Sequence, residues 1–162
     1  MEKITAIIPT YNEQHNISAA IDAVAWADEV IVVDSFSTDK TVEIAKQKGA
    51  RLVQREYENS ASQKNWIIPQ ATHSWIFLLD ADERVTDKLK LEINQLLANT
   101  DLKDAYWIRR INYFMGKKVR FSGWQGDKVI RLFKRDKCRY QDKHVHSEII
   151  CDGDVGYLKG KL

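Results

Sequence analysis

Asp80-Ala81-Asp82 ends the apolar run Trp75-Ile76-Phe77-Leu78-Leu79. In a strand that continues past its sheet edge, residues i and i+2 point the same way, so both carboxylates face one point. Their repulsion there is relieved by a cation or a proton. Hard oxygen donors with few other protein ligands suit Mg²⁺ or Mn²⁺, which keep waters and bind phosphate oxygens. Three other short apolar runs also end in polar residues: Pro9-Thr10-Tyr11-Asn12-Glu13, Asp34-Ser35-Phe36-Ser37-Thr38-Asp39 and Arg55-Glu56. Helix capping explains an Asp or Ser at any one of these positions. It does not call for two carboxylates two apart at one strand end. The chain has no G-x-G-x-x-G after its first run, no G-x-x-x-x-G-K-[ST] and no G-x-S-x-G. Those absences disfavour a dinucleotide dehydrogenase, a P-loop NTPase and a nucleophile-elbow hydrolase. A bound diphosphate would have to be held through metal.

The elements that must position these residues are short. Residues 4–9, 29–33, 51–54 and 75–79 are rich in branched and aromatic side chains and continuously apolar. They are predicted as buried strands of a parallel sheet covered on both faces. Helical spacing fills the gaps. Ile17, Ile21 and Val24 share one face of the first helix, and the second runs from Thr38 or Asp39 past Val42 and Ala45 to a stop at Gly49. The third spans 61–71, disturbed by Pro69. Thr86 caps the fourth, with Leu89, Ile93 and Leu96 on its inner face. That βαβαβαβα order is a doubly wound α/β unit, in which ligands bind beyond the C-terminal strand ends. From residue 105 the pattern changes: 105–114, 117–121, 128–135 and 146–151 read as mixed or antiparallel strands, with Met115-Gly116 and Ser122-Gly123 as turns.

Composition supports one soluble globular domain over 1–162: 44% hydrophobic and 30% charged residues exclude collagenous and disordered classes. No apolar run approaches the roughly 18 residues of a membrane span, and 4–9 is too short for a signal-peptide core, so a cytosolic chain is expected. Cys138 and Cys151 lack metal-ligand spacing and read as small apolar fillers in a reduced compartment. Residues 103–143 carry 13 Lys/Arg against 4 Asp/Glu, so a basic back half follows an acidic front. That half either draws anionic acceptors and inner-leaflet lipid or simply presents solvated strand faces. The basic-aromatic motifs of RNA-binding modules are missing, and no nucleic-acid partner is expected. His144 and His146 share a strand face and either bind metal, polarise an acceptor or are ordinary polar strand residues. His15 and His73 read as surface or cap residues. Trp124 reads as a sugar-stacking platform or as core packing.

Taken together, Pro9 to Glu13, the stretch from Val32 to Thr41, Ser60-Ala61-Ser62-Gln63-Lys64-Asn65, Leu79-Asp80-Ala81-Asp82-Glu83, and Trp124-Gln125-Gly126-Asp127 with Arg131-Leu132-Phe133 resemble family 2 glycosyltransferases. The closest branch in appearance extends lipopolysaccharide core or related surface glycans. The resemblance implies a GT-A (nucleotide-diphospho-sugar transferase) fold, with a Rossmann-like, mostly parallel sheet, helices on both faces and a β-rich C-terminal part. It divides the domain into a nucleotide-sugar-binding half, 1–102, and an acceptor-side half, 103–162. Members commonly continue past the position of Leu162, which implies a chain cut short on the acceptor side.

By the same resemblance, Pro9, Tyr11, Glu13, Asp34 and Asp39 line the nucleoside pocket, Lys64 meets pyrophosphate or base, and Asp80 meets ribose or metal-bound water. Asp82 holds the divalent cation, with Asp80 and His146 as further ligand candidates. Asp127 is the expected base for inverting attack by an acceptor hydroxyl, with Glu148 as second candidate, and Trp124 and Arg131 fall on the acceptor side. Each has a plainer alternative: Asp34 and Asp39 as helix caps, Tyr11 as packing, Lys64 as a solvated lysine, Asp127 as a turn residue after Gly126. The implied partners are a nucleotide-sugar donor, a glycan or lipid-linked glycan acceptor, and the cytoplasmic face of the membrane as a peripheral contact. A sugar nucleotidyltransferase would carry a glycine- and basic-rich loop after the first strand, where Pro9 to Glu13 is acidic and glycine-free. A silent nucleotide- or glycan-binding module would not need Asp80, Asp82 and Asp127.

Overall fold

A computed structural model describes residues 1–111, 113–114, 117–118, 127–143 and 147–162. The strands are β1 (Ile4–Thr10), β2 (Glu29–Asp34), β3 (Arg51–Gln54) and β4 (Trp75–Leu78). Between and after them lie α1 (Ile17–Ala23), α2 (Thr41–Gln47), α3 (Ser60–Ile67) and α4 (Asp87–Leu97). The second half adds β5 (Ala105–Arg109), β6 (Tyr113–Phe114), β7 (Lys117–Lys118), β8 (Lys128–Lys134), β9 (Cys138–Tyr140), β10 (Ile149–Cys151) and β11 (Val155–Lys161).

The main sheet has the order β11-β5-β8-β4-β1-β2-β3. All its pairings are parallel except those of β8, which runs antiparallel to both β4 and β5. Alternation along β1 divides the core. Ala6 and Ile8 pack with Ile17, Ile21, Leu89 and Ile93 under α1 and α4. Ile7 faces the opposite side with Ile67, Ile76, Phe133 and Tyr140, under α3 and β9. Burial on both faces is what the continuous apolar runs predict.

Local signals are met where the chain supplies its own caps. The Thr86 hydroxyl accepts from Leu89 N–H at 3.3 Å, opening α4. Gly49, at φ 79°, closes α2 in the left-handed conformation glycine tolerates. Pro69 ends α3 at Ile67, and a 3₁₀ turn (Ile68–Gln70) follows, shorter than the single helix expected.

β5, β8 and β11 of the β-rich half extend the same sheet. Two expectations are corrected. β3 is the sheet's edge and only half-buried, not a covered strand. The chain leaves β4 at Leu78 and turns at Ala81-Asp82, closed by Glu83 N–H donating to the Asp80 carbonyl at 2.9 Å. Strand geometry therefore does not aim Asp80 and Asp82. The expected turns at Met115-Gly116 and Ser122-Gly123 lie outside the described residues.

Candidate active site

The C-terminal ends of β1, β2 and β4 surround a cavity of about 430 Å³ that α3 closes from the side. Pro9, Tyr11 and Glu13 reach it from β1, Ser35 from β2, Lys64 from α3, and Asp80 from β4. The loops after β1 and β2 are laced together beside it. Asn12 N–H donates to Ser37 Oγ at 2.8 Å and Thr38 N–H to Asn12 Oδ1 at 2.8 Å. Glu13 N–H donates to Thr41 Oγ1 at 2.8 Å. Asn12 (φ 50°) and Phe36 (φ 58°) both hold left-handed backbones here. Asparagine tolerates that conformation, whereas for phenylalanine it is a local strain held by the surrounding lacing.

Asp34 and Asp39 do not line this cavity. Asp34 is fully buried and accepts from Thr10 Oγ1, Ser37 N–H and Gln54 Nε2 at 3.1, 2.9 and 3.2 Å. Asp39 accepts from Thr41 N–H at 2.9 Å and Gln14 N–H at 3.2 Å, fixing the start of α2. Although burial opposes it, these bonds from Thr41 and Gln14 hold the Asp39 carboxyl below its usual range. Both carboxylates brace the loops that follow β1 and β2. Ser35, Tyr57 and Gln63 line the cavity instead, and Gln63 Nε2 donates to Ser35 Oγ at 2.8 Å.

Asp80 and Lys64 sit where this cavity meets its neighbours. A second cavity, about 290 Å³, shares Lys64 and brings together Asp127, Glu148, Arg110, Arg131 and Tyr140. A third, about 510 Å³, shares Asp80 and contains Asp82, Glu83 and Arg84. Asp82 is exposed there. Trp124, His144 and His146 lie outside the described residues.

One chain of charges crosses all three cavities. Asp80 Oδ1 lies 4.0 Å from Lys64 Nζ, and its Oδ2 accepts from Arg131 Nη2 at 3.0 Å. The same nitrogen donates to Glu83 Oε1 at 2.9 Å, while Glu83 Oε2 accepts from Asp80 N–H at 3.0 Å. Arg110 Nη1 lies 3.8 Å from Glu83 Oε1, and Arg110 Nη2 is 2.6 Å from Asp127 Oδ2. Three carboxylates thus face three cations. Arg131, expected on the acceptor side, lines the second cavity as a buried bridge whose side chain is 6% exposed. Burial opposes its charge, but Asp80 and Glu83 outweigh it and raise its pKa. Lys64 is held below its ordinary value, chiefly by burial, with Asp80 opposing.

Tyr140 backs the network. Lys64 Nζ lies 4.8 Å from its ring centroid, Arg131 Nη1 donates to its hydroxyl at 3.5 Å, and Asn65 pairs with both its backbone groups. Burial foremost, with Asp80 adding and Arg131 opposing, pushes its phenol from 10.0 up to about 12. A folded value above the unfolded one contributes stability that is complete below about pH 10 and lost as pH rises toward about 12. Melting temperature is therefore expected to fall across that window more steeply for the wild type than for Tyr140→Phe.

Glu83, Arg110 and Tyr140 were not singled out from the sequence. Glu83 had a signal in its place directly after Asp80-Ala81-Asp82, whereas Arg110 and Tyr140 enter only through tertiary contact. Two carboxylates at one strand end, one of them exposed, match the way Mg²⁺ or Mn²⁺ is held by one or two carboxylates plus substrate phosphates. Among the described residues no group of three or more His, Cys, Asp and Glu forms a protein-only metal cage. Among them, too, no helix is long and apolar enough to cross a membrane.

An uncharacterized glycosyltransferase of Rickettsia felis is 43% identical over 168 aligned positions, covering 100% of this chain and 59% of the relative. The lipopolysaccharide core biosynthesis glycosyltransferase LpsC of Rhizobium meliloti is 28% identical over 159 positions, covering 94% of this chain and 59% of LpsC. The chain thus spans somewhat more than half the length of the relatives it matches. Among solved structures, S. aureus TarS 1–349 superposes with TM-score 0.60 at 23% identity, covering 74% of this chain and 39% of TarS. Mycobacterium tuberculosis glucosyl-3-phosphoglycerate synthase, in complex with Mn²⁺, UDP and glucosyl-3-phosphoglycerate, gives 0.54 at 23% identity, covering 65% of this chain and 43% of that one. At such identities the likeness concerns the fold, and the fold is the GT-A arrangement expected from the motifs. The family model described as glycosyl transferase family 2 matches residues 5–154, so the chain belongs to that family.

Proposed function

We propose that this chain forms the donor and catalytic part of an inverting glycosyltransferase that moves a sugar from a nucleoside diphosphate to a hydroxyl of a surface glycan of lipopolysaccharide-core type. The observation that carries this reading is the meeting of two cavities at Lys64. One lies at the strand ends where α/β sheets bind ligands, and the other holds Asp127 and Glu148. Support for the donor class comes from the structural neighbours, since TarS was solved with UDP-GlcNAc and the mycobacterial synthase with UDP. Support for the acceptor class is the similarity to LpsC.

In this reading the base lies between exposed Tyr11 and Tyr57, with Ser35 and Gln63 below it. Lys64 offers its ammonium to the diphosphate, and Asp80, oriented by Arg131, accepts from ribose. Asp82 and Asp80 would hold a divalent cation, which when bound supplies charge neutralisation to the departing diphosphate. Asp127 accepts the acceptor hydroxyl proton as the new glycosidic bond forms at the anomeric carbon and the bond to the diphosphate oxygen breaks. Arg110 fixes the carboxylate of Asp127 for that task. No covalent enzyme intermediate is needed. We assign the basic stretch 103–143 to the anionic acceptor and to peripheral contact with the cytoplasmic membrane face.

The test is turnover of UDP-, GDP- and ADP-sugars presented with lipopolysaccharide-core acceptor. Sugar incorporation with release of the matching nucleoside diphosphate supports the reading. Nucleotide binding without any release under these conditions would sink the catalytic part of it and leave a binding module.

A further inference from the structure

Cys138 and Cys151 take no part in the site above, yet they face each other directly in the antiparallel β9–β10 pair. Flanking bonds define the kind of pair. Asp152 N–H donates to the Lys137 carbonyl and Gln141 N–H to the Glu148 carbonyl, both at 2.9 Å. Hydrogen-bonded and non-hydrogen-bonded pairs alternate along such a ladder, which makes 138/151 non-hydrogen-bonded. In that type of pair the Cα atoms lie about 4.5 Å apart, inside the range a disulfide spans. The Cys138 thiol donates to the Asp104 carbonyl at 3.7 Å. Cys138 is buried and Cys151 is partly exposed. Beside Cys138 opens a cavity of about 370 Å³, lined also by Arg135, paired with Asp136 at 3.0 Å, by Arg139, paired with Asp152 at 3.4 Å, and by Lys137.

We propose that Cys138 and Cys151 are a redox modification site, closed to an intramolecular disulfide by an anionic small-molecule disulfide drawn to the Arg135, Lys137 and Arg139 cluster. The Cys151 thiolate attacks one sulfur of the oxidant, expelling the first thiolate and leaving a mixed disulfide. The Cys138 sulfur then attacks Cys151 and expels the second. Both protein thiols are oxidised, the oxidant is reduced to two thiols, and the two protein protons end on those products. Burial, then the neighbouring Cys151 and the Asp104 and Asp152 carboxylates, push the Cys138 thiol well above its usual range. The partial exposure of Cys151 assigns it first attack and leaves resolution to the buried Cys138. The new bond would close the base of the segment 138–151, which holds Tyr140 against Lys64 and carries Glu148.

The experiment is oxidation of the reduced full chain with oxidised glutathione, read by intact mass and thiol alkylation. The expected product is lighter by two hydrogens, has no alkylatable thiol and retains no glutathione. Its melting temperature should rise by about 5–10 °C and return on reduction with dithiothreitol. Cys138→Ser should stop at a glutathione adduct on Cys151. A wild-type product that keeps glutathione, forms a disulfide-linked dimer or retains both thiols overturns the proposal. None of these readouts depends on sugar transfer.

Discussion

Replacing Arg131 with Met is expected to cost about 3 kcal/mol of stability, lowering the melting temperature by about 6–12 °C. The guanidinium is almost wholly buried and is the shared partner of Asp80 and Glu83. Its removal leaves Glu83, 12% exposed, with Arg110 at 3.8 Å as its remaining cation. Asp80 suffers less, being 39% exposed and still near Lys64. The mechanism is the penalty of an unpaired buried charge, so the double variant Arg131→Met/Glu83→Gln should recover part of the loss. Denaturant titration of both variants checks this. A single-variant loss below about 1 kcal/mol would show that the bridge behaves as a surface pair.

Asp127→Asn is expected to reduce sugar transfer by about 10²–10⁴-fold, the range that general-base catalysis supplies. Nucleotide affinity should be preserved, because Asp127 lines the second cavity and not the first. The amide keeps the volume and can still accept from Arg110, so folding should not be at issue. Initial rates with saturating donor, beside a nucleotide titration of the same preparation, separate the two effects. Glu148→Gln is the companion variant: a large loss there with Asp127→Asn near wild type would move the proton-accepting role to Glu148.

Much of the front half is legible in the residues themselves. Continuous branched runs mark β1, β2 and β4 because both sheet faces are covered, and Thr86, Gly49 and Pro69 act on their immediate neighbours. The strand ends likewise mark where the cavity opens. The aim of Asp80 and Asp82 is not legible, because it depends on a turn that Glu83 closes and on Arg131, which arrives from β8. Asp34 and Ser35 are adjacent, and only the demands of Thr10, Ser37 and Gln54 decide which one turns inward. β11 hides for a different reason. Two of its buried positions are Gly156 and Gly160, so its apolar alternation is weak. Gly160 is small because a side chain there would collide with the backbone of Leu89 on α4, a contact the local sequence does not reveal.

In the proposed function, the strand-end cavity holds a nucleoside diphosphate in part through Asp82. Calorimetric titration of UDP, GDP and ADP, each with and without Mn²⁺, into wild type and Asp82→Asn tests it most directly. One of the three is expected to bind the wild type, more tightly with Mn²⁺, and Asp82→Asn is expected to lose the metal's contribution while remaining folded. Failure of all three to bind the folded wild type at millimolar concentration, with or without metal, would contradict it.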